Sequence, residues 1–558
     1  MKLFIFLIVI VFLISNSYSL ISSSNSNSDN SNSESEIQYY SLTSQFDVVQ
    51  GKQLPGSIAW GYFLDEMNKD GWGKLSIETV STVSDDIAFK AAGYLEGYLT
   101  WEYIYRFSGN YFNSFFNTSD IKEIPIETLT FVSDNWEYML ERVNSSSTTD
   151  PYWIQIRNAM SQQIGLYEGY NDAAGDNYQK TFIELYMINL YGDMGDIVTL
   201  TTENNDQFTP MDRKEVEELM ATTGHCTSII KLTNNCSDLM SAHTSWADFS
   251  VMIRIYKRIN IPVASTPYGS ETLFSSYPGL LVSIDDFYQI RPSKLHLTET
   301  LNTILNQTLY QQIKAQSFMY WVRNLVANRL ANNGFQWVSL FVENNSGTNN
   351  IQFVVLDYKL FTPYSTELQE DLLWIVEQYP GGYQAADVTL TLWEQGYWPS
   401  YNRPYFEEVF DILGYPYYVE KFGDLFTYEN NPRANIFRRD HSKLETLEDM
   451  MNIIDYNQYK TDPFSMGYPG NSINARFDIK GGSLPSGNPI YSWFYHGTHG
   501  GIDGKAINYD MVNSFTSIAR NGPTVTSDCP PFNWIDWNLI SHQYMPQIYN
   551  FTWTPINI

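Results

Sequence analysis

The chain has 558 residues, of which 43% are hydrophobic and 16% aromatic, which is enough to build a large buried core. Its formal net charge of −29 at neutral pH repels phosphate backbones and argues against nucleic acid as a partner. The same charge disfavours anionic lipid at neutral pH, but carboxylates gain protons in an acidic compartment, which leaves room for transient contact with a membrane surface.

Residues 1–19 have the pattern of a secretory signal peptide. Lys2 precedes an apolar run from Leu3 to Ile14, about half the roughly 20 residues that span a membrane, and Ser17-Tyr18-Ser19 offers a cleavage site. Residues 20–37 are rich in Ser and Asn and are predicted to be disordered. The mature protein is therefore predicted to be secreted or to reside in the lysosomal lumen.

Asn-x-Ser/Thr sequons and cysteines fit that compartment. With a signal peptide, the sequons predict N-glycosylation on exposed backbone. They lie at Asn117, Asn144, Asn235, Asn306, Asn344 and Asn550. The cysteines are Cys226, Cys236 and Cys529, an odd number that leaves at least one thiol outside any disulfide within the chain. A Cys236–Cys529 bridge is one arrangement, and the sequence does not decide it.

The segment from Ile58 to Asn189 is predicted to be largely helical. Apolar residues recur at helical spacing over Asp85–Leu99 and again over Tyr152–Tyr170. These two stretches are the clearest helix signals in the first half of the chain.

A β-hairpin is predicted next, with Asn234-Asn235 as a two-residue type I′ turn. That register places Lys231 opposite Asp238 and Cys226 opposite His243, so that opposite charges face each other. A helix capped by Thr244 or Ser245 is predicted to follow the hairpin.

Later apolar runs predict strands at Leu280–Ile284, Trp337–Val342 and Gln352–Leu356. The last two flank a turn-rich connector that is typical of a second hairpin. Between the first and second of these runs, Leu301–Asn333 has a long helical pattern. Strands followed by helices and then by strands predict antiparallel sheets covered by helices, an α+β fold.

Motifs of several enzyme classes are missing from the sequence. It has no Gly-x-Ser-x-Gly elbow, no His-Glu-x-x-His zinc helix, no phosphate-binding glycine loop and no Cys-x-x-Cys pair. The segment 496–501, His-Gly-Thr-His-Gly-Gly, has no acidic ligand at a matching spacing and is interpreted as an exposed loop.

Cys226 follows Gly224-His225 at the start of a predicted strand, which allows a specific chemistry. Its thiol can attack the His225 carbonyl, take the acyl group onto sulfur, and let water release Cys226 as a new amino terminus. The freed α-amine, with an unperturbed pKa of about 8, can then act as general base toward its own thiol. The alternative is a buried structural cysteine.

The sequence Gly-His-Cys-Thr-Ser-Ile-Ile-Lys at 224–231, with Ala-His-Thr-Ser-Trp at 242–246, resembles the phospholipase B-like family. Similar motifs, among them 395–402 and 432–434, extend from about position 40 to the C-terminus. The resemblance implies an N-terminal-nucleophile hydrolase, a four-layer αββα sandwich that cuts itself between His225 and Cys226. A largely helical fragment 38–225 and a fragment 226–558 would then share one body and stay associated.

The resemblance also implies roles for individual residues. Cys226 would be the nucleophile, His243 and Trp246 would line the site with His243 orienting or tuning the thiol, and Asn402 and Arg433 would complete the pocket and support the oxyanion. Taken alone, His243 could be a core histidine, Trp246 a packing anchor and Arg433 an ion-pair residue. No metal and no organic cofactor is implied.

The family name implies hydrolysis of fatty acyl esters of glycerophospholipids through a cysteine thioester, the reaction of a carboxylic ester hydrolase. One alternative is an amidase acting on an N-acyl amide or a peptide-like substrate. Another is a non-catalytic lumenal glycoprotein that binds lipid. A thiol redox protein is disfavoured by the missing Cys-x-x-Cys pair.

Overall fold

The computed structural model describes residues 37–203, 205–223, 226–284, 286–480 and 495–558. The predicted signal peptide, the Ser/Asn-rich segment up to residue 36, and His225 at the predicted cleavage site lie outside the described residues. Among the helices of the described ranges, none has the length and apolar character that a membrane span requires.

The strands and helices are numbered here in chain order. The strands are β1 (Tyr40–Thr43), β2 (Val48–Gln50), β3 (Ser57–Glu66), β4 (Trp72–Thr79), β5 (Cys226–Leu232), β6 (Leu239–Asp248), β7 (Arg254–Asn260), β8 (Gly269–Ser276), β9 (Tyr288–Pro292), β10 (Leu295–Leu301), β11 (Ile351–Asp357), β12 (Leu373–Tyr379), β13 (Gly382–Asp387), β14 (Tyr397–Ser400), β15 (His499–Gly501), β16 (Asp503–Ile507), β17 (Ser517–Asn521), β18 (Phe532–Asn533), β19 (Ile548–Tyr549) and β20 (Thr554–Ile556). The helices are α1 (Asp85–Phe116), α2 (Ile126–Ser145), α3 (Pro151–Ala174), α4 (Phe182–Asn189), α5 (Tyr191–Thr202), α6 (Arg213–Thr222), α7 (Tyr320–Leu330), α8 (Gly334–Phe341), α9 (Thr389–Gln395), α10 (Glu407–Ile412), α11 (Tyr415–Phe422), α12 (Pro432–Asp440), α13 (Leu447–Ile454) and α14 (Tyr509–Ser514).

Two large sheets organise these elements. Sheet 1 has eleven strands in the order β13-β12-β11-β10-β9-β8-β7-β4-β3-β1-β2. Its neighbouring strands run antiparallel except for β4 and β7, which are parallel. Sheet 2 has seven strands, in the order β14-β5-β6-β16-β17-β20, with β15 also paired to β6.

The two sheets meet through their side chains, and helices pack on each of them. Thr298 of β10 donates to Ser228 of β5 at 3.1 Å, so sheet 1 contacts sheet 2 directly. Helix α1 packs on β3 and β4 and along α3, while α13 packs on β6 and β16. The α+β class and the antiparallel sheets covered by helices are therefore confirmed.

Helices α1 and α3 approach each other through glycines. These are Gly93 and Gly97 on α1 and Gly165 and Gly169 on α3. A Cβ atom at Gly97 would lie 2.3 Å from the carbonyl oxygen of Leu166, and one at Gly169 would lie 2.0 Å from that of Tyr94. The two backbones are in contact, so any side chain here must push the helices apart.

Gly97→Ala is expected to destabilise the fold by about 3 kcal/mol, because the methyl group meets rigid backbone rather than a side chain that can move. Gly109→Ala is the matched control on the same helix, since its nearest neighbour would be Gln543 Oε1 at 3.9 Å. There the change is expected to be neutral or stabilising by about 0.5–1 kcal/mol. Urea unfolding of both variants checks this, and equal losses would contradict the close crossing.

Asp193 on α5 is a fully buried carboxyl that ties two other segments to its helix. It accepts hydrogen bonds from the backbone nitrogen of Tyr320, at 3.2 Å, and from the hydroxyl of Thr348. Burial raises the pKa of Asp193 from its ordinary 3.8 to about 6. The folded chain therefore holds this proton more tightly than the unfolded chain does.

The stabilisation from a protonated Asp193 is complete below about pH 4 and is lost as the pH rises through 6. Compared with Asp193→Asn, the wild type is therefore expected to lose roughly 2 kcal/mol of unfolding free energy between about pH 4.5 and about pH 7. Denaturant unfolding at the two pH values measures the change. The control Asp134→Asn, at an exposed position of α2, leaves Asp193 in place and should keep the pH-dependent loss of the wild type. A gap for Asp193→Asn that does not move with pH would contradict the prediction.

Several predicted elements are confirmed and others are corrected. The helices at Asp85–Leu99 and Tyr152–Tyr170 lie within α1 and α3, and the strand at Gln352–Leu356 lies within β11. The stretch from Ile58 to Thr79 is not helical but forms β3 and β4. Most residues of these two strands are buried in unbroken runs, so the alternation with a period of two that marks a strand is weak. Leu301–Asn333 is helical mainly at α7.

The strand predicted at Trp337–Val342 is wrong, since these residues lie in and just after α8. Asn333 caps this helix by accepting from Gln336, and Trp337 and Phe341, four residues apart, pack together into the core. A short apolar run fits either a buried strand or a short helix, and here the cap decides. The second hairpin predicted with this strand is therefore also wrong.

Three further predictions fail because neighbouring side chains or strands take up the backbone. Leu280–Ile284 forms no strand, since Lys257 and Ser276 donate to the carbonyls of Leu280 and Val282. No helix starts at Thr244 or Ser245, because β6 continues to Asp248 and β7 begins at Arg254. The predicted exposed loop at 496–501 is largely buried, and its second half is β15, which pairs with the end of β6.

Candidate active site

The site is built on the hairpin of β5 and β6. The observed register pairs Cys226 with Ser245 and Ser228 with His243, so the predicted pairs Cys226–His243 and Lys231–Asp238 are wrong. The connection is not a two-residue turn: Thr233 donates to the Asp238 carbonyl at 3.1 Å and closes a longer loop. Within it, Asn235 and Cys236 have φ of 59° and 54°.

The corrected register moves the partner of Cys226 by two residues, from His243 to Ser245. Successive side chains of a strand point to opposite faces, so a shift of two keeps every residue on its original face. Cys226 and His243 therefore still share the face that meets sheet 1. The sequence therefore predicted that Cys226 and His243 lie on the same face of the hairpin, although the predicted turn was too short.

The third member of the cluster is Glu299, which β10 brings from sheet 1. The Cys226 thiol donates to Glu299 Oε1 at 3.3 Å, and His243 Nε2 lies 2.9 Å from the Glu299 carbonyl oxygen. Ligand atoms of the three side chains lie within 4.8 Å of one another, and all three residues are buried. The thiol thus lies between the two sheets with a carboxylate as its proton acceptor.

His243 is held in one tautomer by its contact with Glu299. A carbonyl oxygen only accepts, so Nε2 carries the proton. Nδ1 is buried and has no hydrogen-bond partner among the described residues. Burial, reinforced by Lys505, lowers the pKa of His243 well below 6.5, which keeps the ring neutral. The structure confirms that His243 lies beside the thiol; its orienting or tuning role stays a prediction.

A buried charge cluster lies behind Ser245, the strand partner of Cys226. Asp503 contacts Arg254 at 2.8 Å and Lys505 at 2.7 Å, and all three side chains have no exposed surface. Burial disfavours the Asp503 carboxylate, but Lys505 and Arg254 hold its pKa below the usual range. Asp503 accepts from the backbone nitrogen of Ser245 at 2.8 Å, so the cluster fixes β6 beside Cys226.

Arg433, near the start of α12, holds the backbone of Cys226. Its Nη1 donates to the Cys226 carbonyl at 2.8 Å and its Nη2 to the Tyr401 carbonyl at 2.6 Å. The guanidinium also lies 4.4 Å from the ring centre of Trp246, a cation–π contact. The structure therefore brings Cys226, Trp246 and Arg433 together. The contacts of Arg433 hold the backbone of Cys226 in place.

Asn402 lies just after β14, the strand that pairs with β5. Its φ is 64°, a left-handed conformation that asparagine tolerates, and its side-chain nitrogen donates to the Leu301 carbonyl at 2.7 Å. Its Oδ1 is buried without a hydrogen-bond partner within the described ranges. Asn402 thus joins the end of β10 to the edge of sheet 2, and its oxyanion role stays a prediction.

A cavity of about 70 Å³ lies beside Trp246 and Arg433. Helix α6, which ends shortly before the predicted cleavage site, lines it with Glu217, Met220 and Ala221. Burial raises the pKa of Glu217 to about 7. In the intact chain, therefore, residues from both sides of the predicted cleavage site line the cavity beside Arg433.

Sequence reasoning missed Glu299, Asp503 and Lys505. The sequence 295–301, Leu-His-Leu-Thr-Glu-Thr-Leu, alternates as a strand does, and a charged residue at an apolar position of such a pattern is the signal that could have drawn attention to Glu299. Asp503 and Lys505 carry the same signal, since opposite charges two residues apart share one face of β16.

The remaining predicted positions fall into place on the surface or in the core. Asn117, Asn144, Asn235, Asn344 and Asn550 are exposed, as a glycan requires, and Asn306 is partly buried. Cys236 and Cys529 are buried thiols that are not joined to each other. Attachment of sugars at the sequons stays a prediction.

Comparison with known proteins gives consistent matches along the chain. A family model described as Phospholipase B matches residues 59–556. "Phospholipase B-like protein E" of Dictyostelium discoideum is 94% identical over 522 residues, which cover 94% of each chain. "Phospholipase B-like protein F" of the same organism is 38% identical over 533 residues, or 93% of each chain. "Phospholipase-B 81" of Drysdalia coronoides is 34% identical over 501 residues, which cover 88% of this chain and 87% of that protein.

Proposed function

The chain belongs to the phospholipase B family, and from that premise we propose that it removes fatty acyl chains from glycerophospholipids through a thioester at Cys226. The observation that carries the proposal is the placement of one thiol. Cys226 donates to Glu299 on one side, while Arg433 holds its carbonyl on the other. A thiol with a proton acceptor and a fixed backbone is equipped for nucleophilic attack.

Maturation is proposed to be a self-cleavage between His225 and Cys226. In the uncut chain Cys226 has no free α-amine, so another group must take the thiol proton, and Glu299 Oε1 is the acceptor at 3.3 Å. The sulfur then attacks the His225 carbonyl carbon, the C–N bond breaks, and the proton passes to the leaving nitrogen. Water hydrolyses the thioester, leaving a His225 carboxylate and a Cys226 α-amine.

Turnover is proposed to follow the same route with lipid as the acyl donor. The α-amine takes the thiol proton, sulfur attacks the ester carbonyl, and the glyceryl oxygen leaves with the proton. Water then releases the fatty acid and restores the thiol. Neutral His243 holds Glu299 through its carbonyl, and Arg433 holds the Cys226 backbone, so neither group needs to move during the reaction.

The fold supports this proposal. Helices α1 and α3 on sheet 1, contact between the two sheets, and α13 on sheet 2 fit the αββα sandwich of N-terminal-nucleophile hydrolases. Strand β4 comes from the proposed fragment 38–225 and pairs with β7 of fragment 226–558, which would keep the two pieces together after the cut. The exposed sequons and the signal-peptide pattern support a secreted or lysosomal glycoprotein.

Acyl release tests the substrate class. Protein made in a secretory eukaryotic host is incubated with a glycerophospholipid labelled in its acyl chain and, separately, with an N-acyl amide bearing the same chain. We expect the wild type to release the acyl chain faster from the ester than from the amide. The control Cys236→Ser, at a thiol in the hairpin loop, should release it as fast as the wild type. Faster release from the amide would make the protein an amidase. Lipid binding without release of either acyl group would make it a non-catalytic lipid carrier.

A further inference from the structure

Cys226, His243 and Glu299 form a set of three different ligand atoms in one buried place. Their sulfur, nitrogen and oxygen atoms lie within 4.8 Å of one another, and they come from β5, β6 and β10. The three residues are 6%, 0% and 2% exposed, so the surrounding core restricts the motion of their side chains. Thiolate, imidazole and carboxylate are the ligands that Zn²⁺ takes in proteins.

The spacing of the sulfur and the oxygen suits a tetrahedral ion. Zn–S and Zn–O bonds of about 2.3 and 2.1 Å place the two ligand atoms about 3.6 Å apart. The Cys226 Sγ and Glu299 Oε1 atoms are 3.3 Å apart. For this pair of atoms, a movement of a few tenths of an ångström reaches the distance that the ion requires.

The histidine supplies an independent observation that points to a ligand. Its Nε2–H is held by the Glu299 carbonyl, the kind of contact that orients metal-binding histidines in proteins. The other ring nitrogen, Nδ1, is an acceptor that is fully buried without a hydrogen-bond partner in the part of the chain that the structure describes. One ring nitrogen of His243 lies within 4.8 Å of the thiol sulfur and of a carboxylate oxygen, so the ring can supply the third zinc ligand.

We propose that Cys226, His243 and Glu299 form an inhibitory binding site for Zn²⁺ or a similar thiol-seeking divalent cation. Binding replaces the Cys226 S–H bond with an S–Zn bond and releases one proton to solvent. The thiolate and the Glu299 carboxylate together neutralise the two positive charges of the ion, which makes its burial tolerable. The fourth position takes water in the uncut chain.

Bound Zn²⁺ blocks acyl hydrolysis, because metal binding and nucleophilic attack would use the same Cys226 sulfur. In the cut chain the α-amine of Cys226 becomes a further donor, which closes a five-membered chelate ring with the thiolate; this step and the inhibition of acyl release rest on the proposed function. Cleavage is therefore expected to tighten Zn²⁺ binding at least tenfold. A chelator is expected to restore acyl release fully.

Titration of the metal-free full-length protein with Co²⁺ and Zn²⁺ tests the site without using activity. We expect one Co²⁺ per chain with a thiolate charge-transfer absorption band, and displacement of Co²⁺ by Zn²⁺. Cys226→Ser should lose the band, and Glu299→Gln should weaken Zn²⁺ binding at least tenfold by calorimetry. The matched thiol controls Cys236→Ser and Cys529→Ser should keep both properties.

The outcomes separate this site from the proposed function. A band that survives in Cys226→Ser, or calorimetry that finds no binding of one Zn²⁺ per chain, would overturn the site whatever the activity. Metal binding in a protein that releases no acyl group would leave the site standing and refute the hydrolase. Glu299→Gln keeps the size of the side chain, and unfolding of the metal-free variant at the wild-type temperature confirms that any loss of binding arises at the site.

Discussion

Cys226→Ala is expected to remain a single full-length chain and to release acyl groups at background rate. The substitution removes the sulfur that both proposed reactions use, while the hairpin register that places it is set by backbone pairing and stays intact. Loss of the nucleophile in a hydrolase of this kind lowers turnover by about 10⁴-fold or more. Denaturing gels, N-terminal sequencing and acyl release from the same preparations measure both effects.

The matched control for Cys226→Ala is Cys236→Ser, since Cys236 is also a buried thiol of the hairpin region. It should be cut normally and keep wild-type turnover. Glu299→Gln separates the two steps: the thiol remains, but its proton acceptor loses basicity, so cleavage should slow more than tenfold. Cutting of Cys226→Ala at the His225–Cys226 bond would show that another protease matures the chain and would refute self-cleavage.

Asp503→Ala is expected to destabilise the fold by about 3–5 kcal/mol, because it leaves Arg254 and Lys505 buried without their shared carboxylate. The same change removes the acceptor for the Ser245 backbone nitrogen, directly opposite Cys226. We therefore expect slower cleavage as well as lower stability. Urea unfolding and the fraction of cut chain on gels measure the two effects together.

Asp440→Ala is the control for Asp503→Ala. Asp440 also contacts two cations, Arg439 at 2.6 Å and Lys443 at 2.7 Å, but these side chains are 35% and 69% exposed. Exposed ion pairs contribute about 0–1 kcal/mol, so this variant should unfold near the wild-type midpoint. Similar losses from Asp440→Ala and Asp503→Ala would show that burial of the Asp503 cluster is not what stabilises the hairpin.

Sequence reasoning brought Cys226 and His243 together because both lie on one local hairpin. The predicted turn was too short, yet the error was even, and alternation of side chains kept Cys226 and His243 on the same face. Helices α1 and α3 were also predictable, since their apolar spacing persists over several turns. Local periodicity carries this kind of information well.

Glu299 and the Asp503 cluster could not be placed from local pattern. Glu299 reaches Cys226 from another sheet, 73 residues away along the chain, and Asp503 reaches Ser245 across 258 residues. The strand predicted at Trp337–Val342 is wrong for a different reason. A short apolar run fits a helix and a strand equally well, and only the cap at Asn333 distinguishes the two. Tertiary packing decides each of these cases.

The parallel pairing of β4 with β7 has a consequence for how the protein survives unfolding. The pairing joins Trp72–Glu78 to Arg254–Asn260, one stretch from each side of the proposed cut. Before cleavage the two strands are tethered and fold at a rate that does not depend on concentration. After cleavage they belong to separate molecules, so refolding becomes a bimolecular encounter that dilution slows. The mature protein would then persist because it unfolds slowly, and an unfolded molecule would stay inactive until its two fragments meet again.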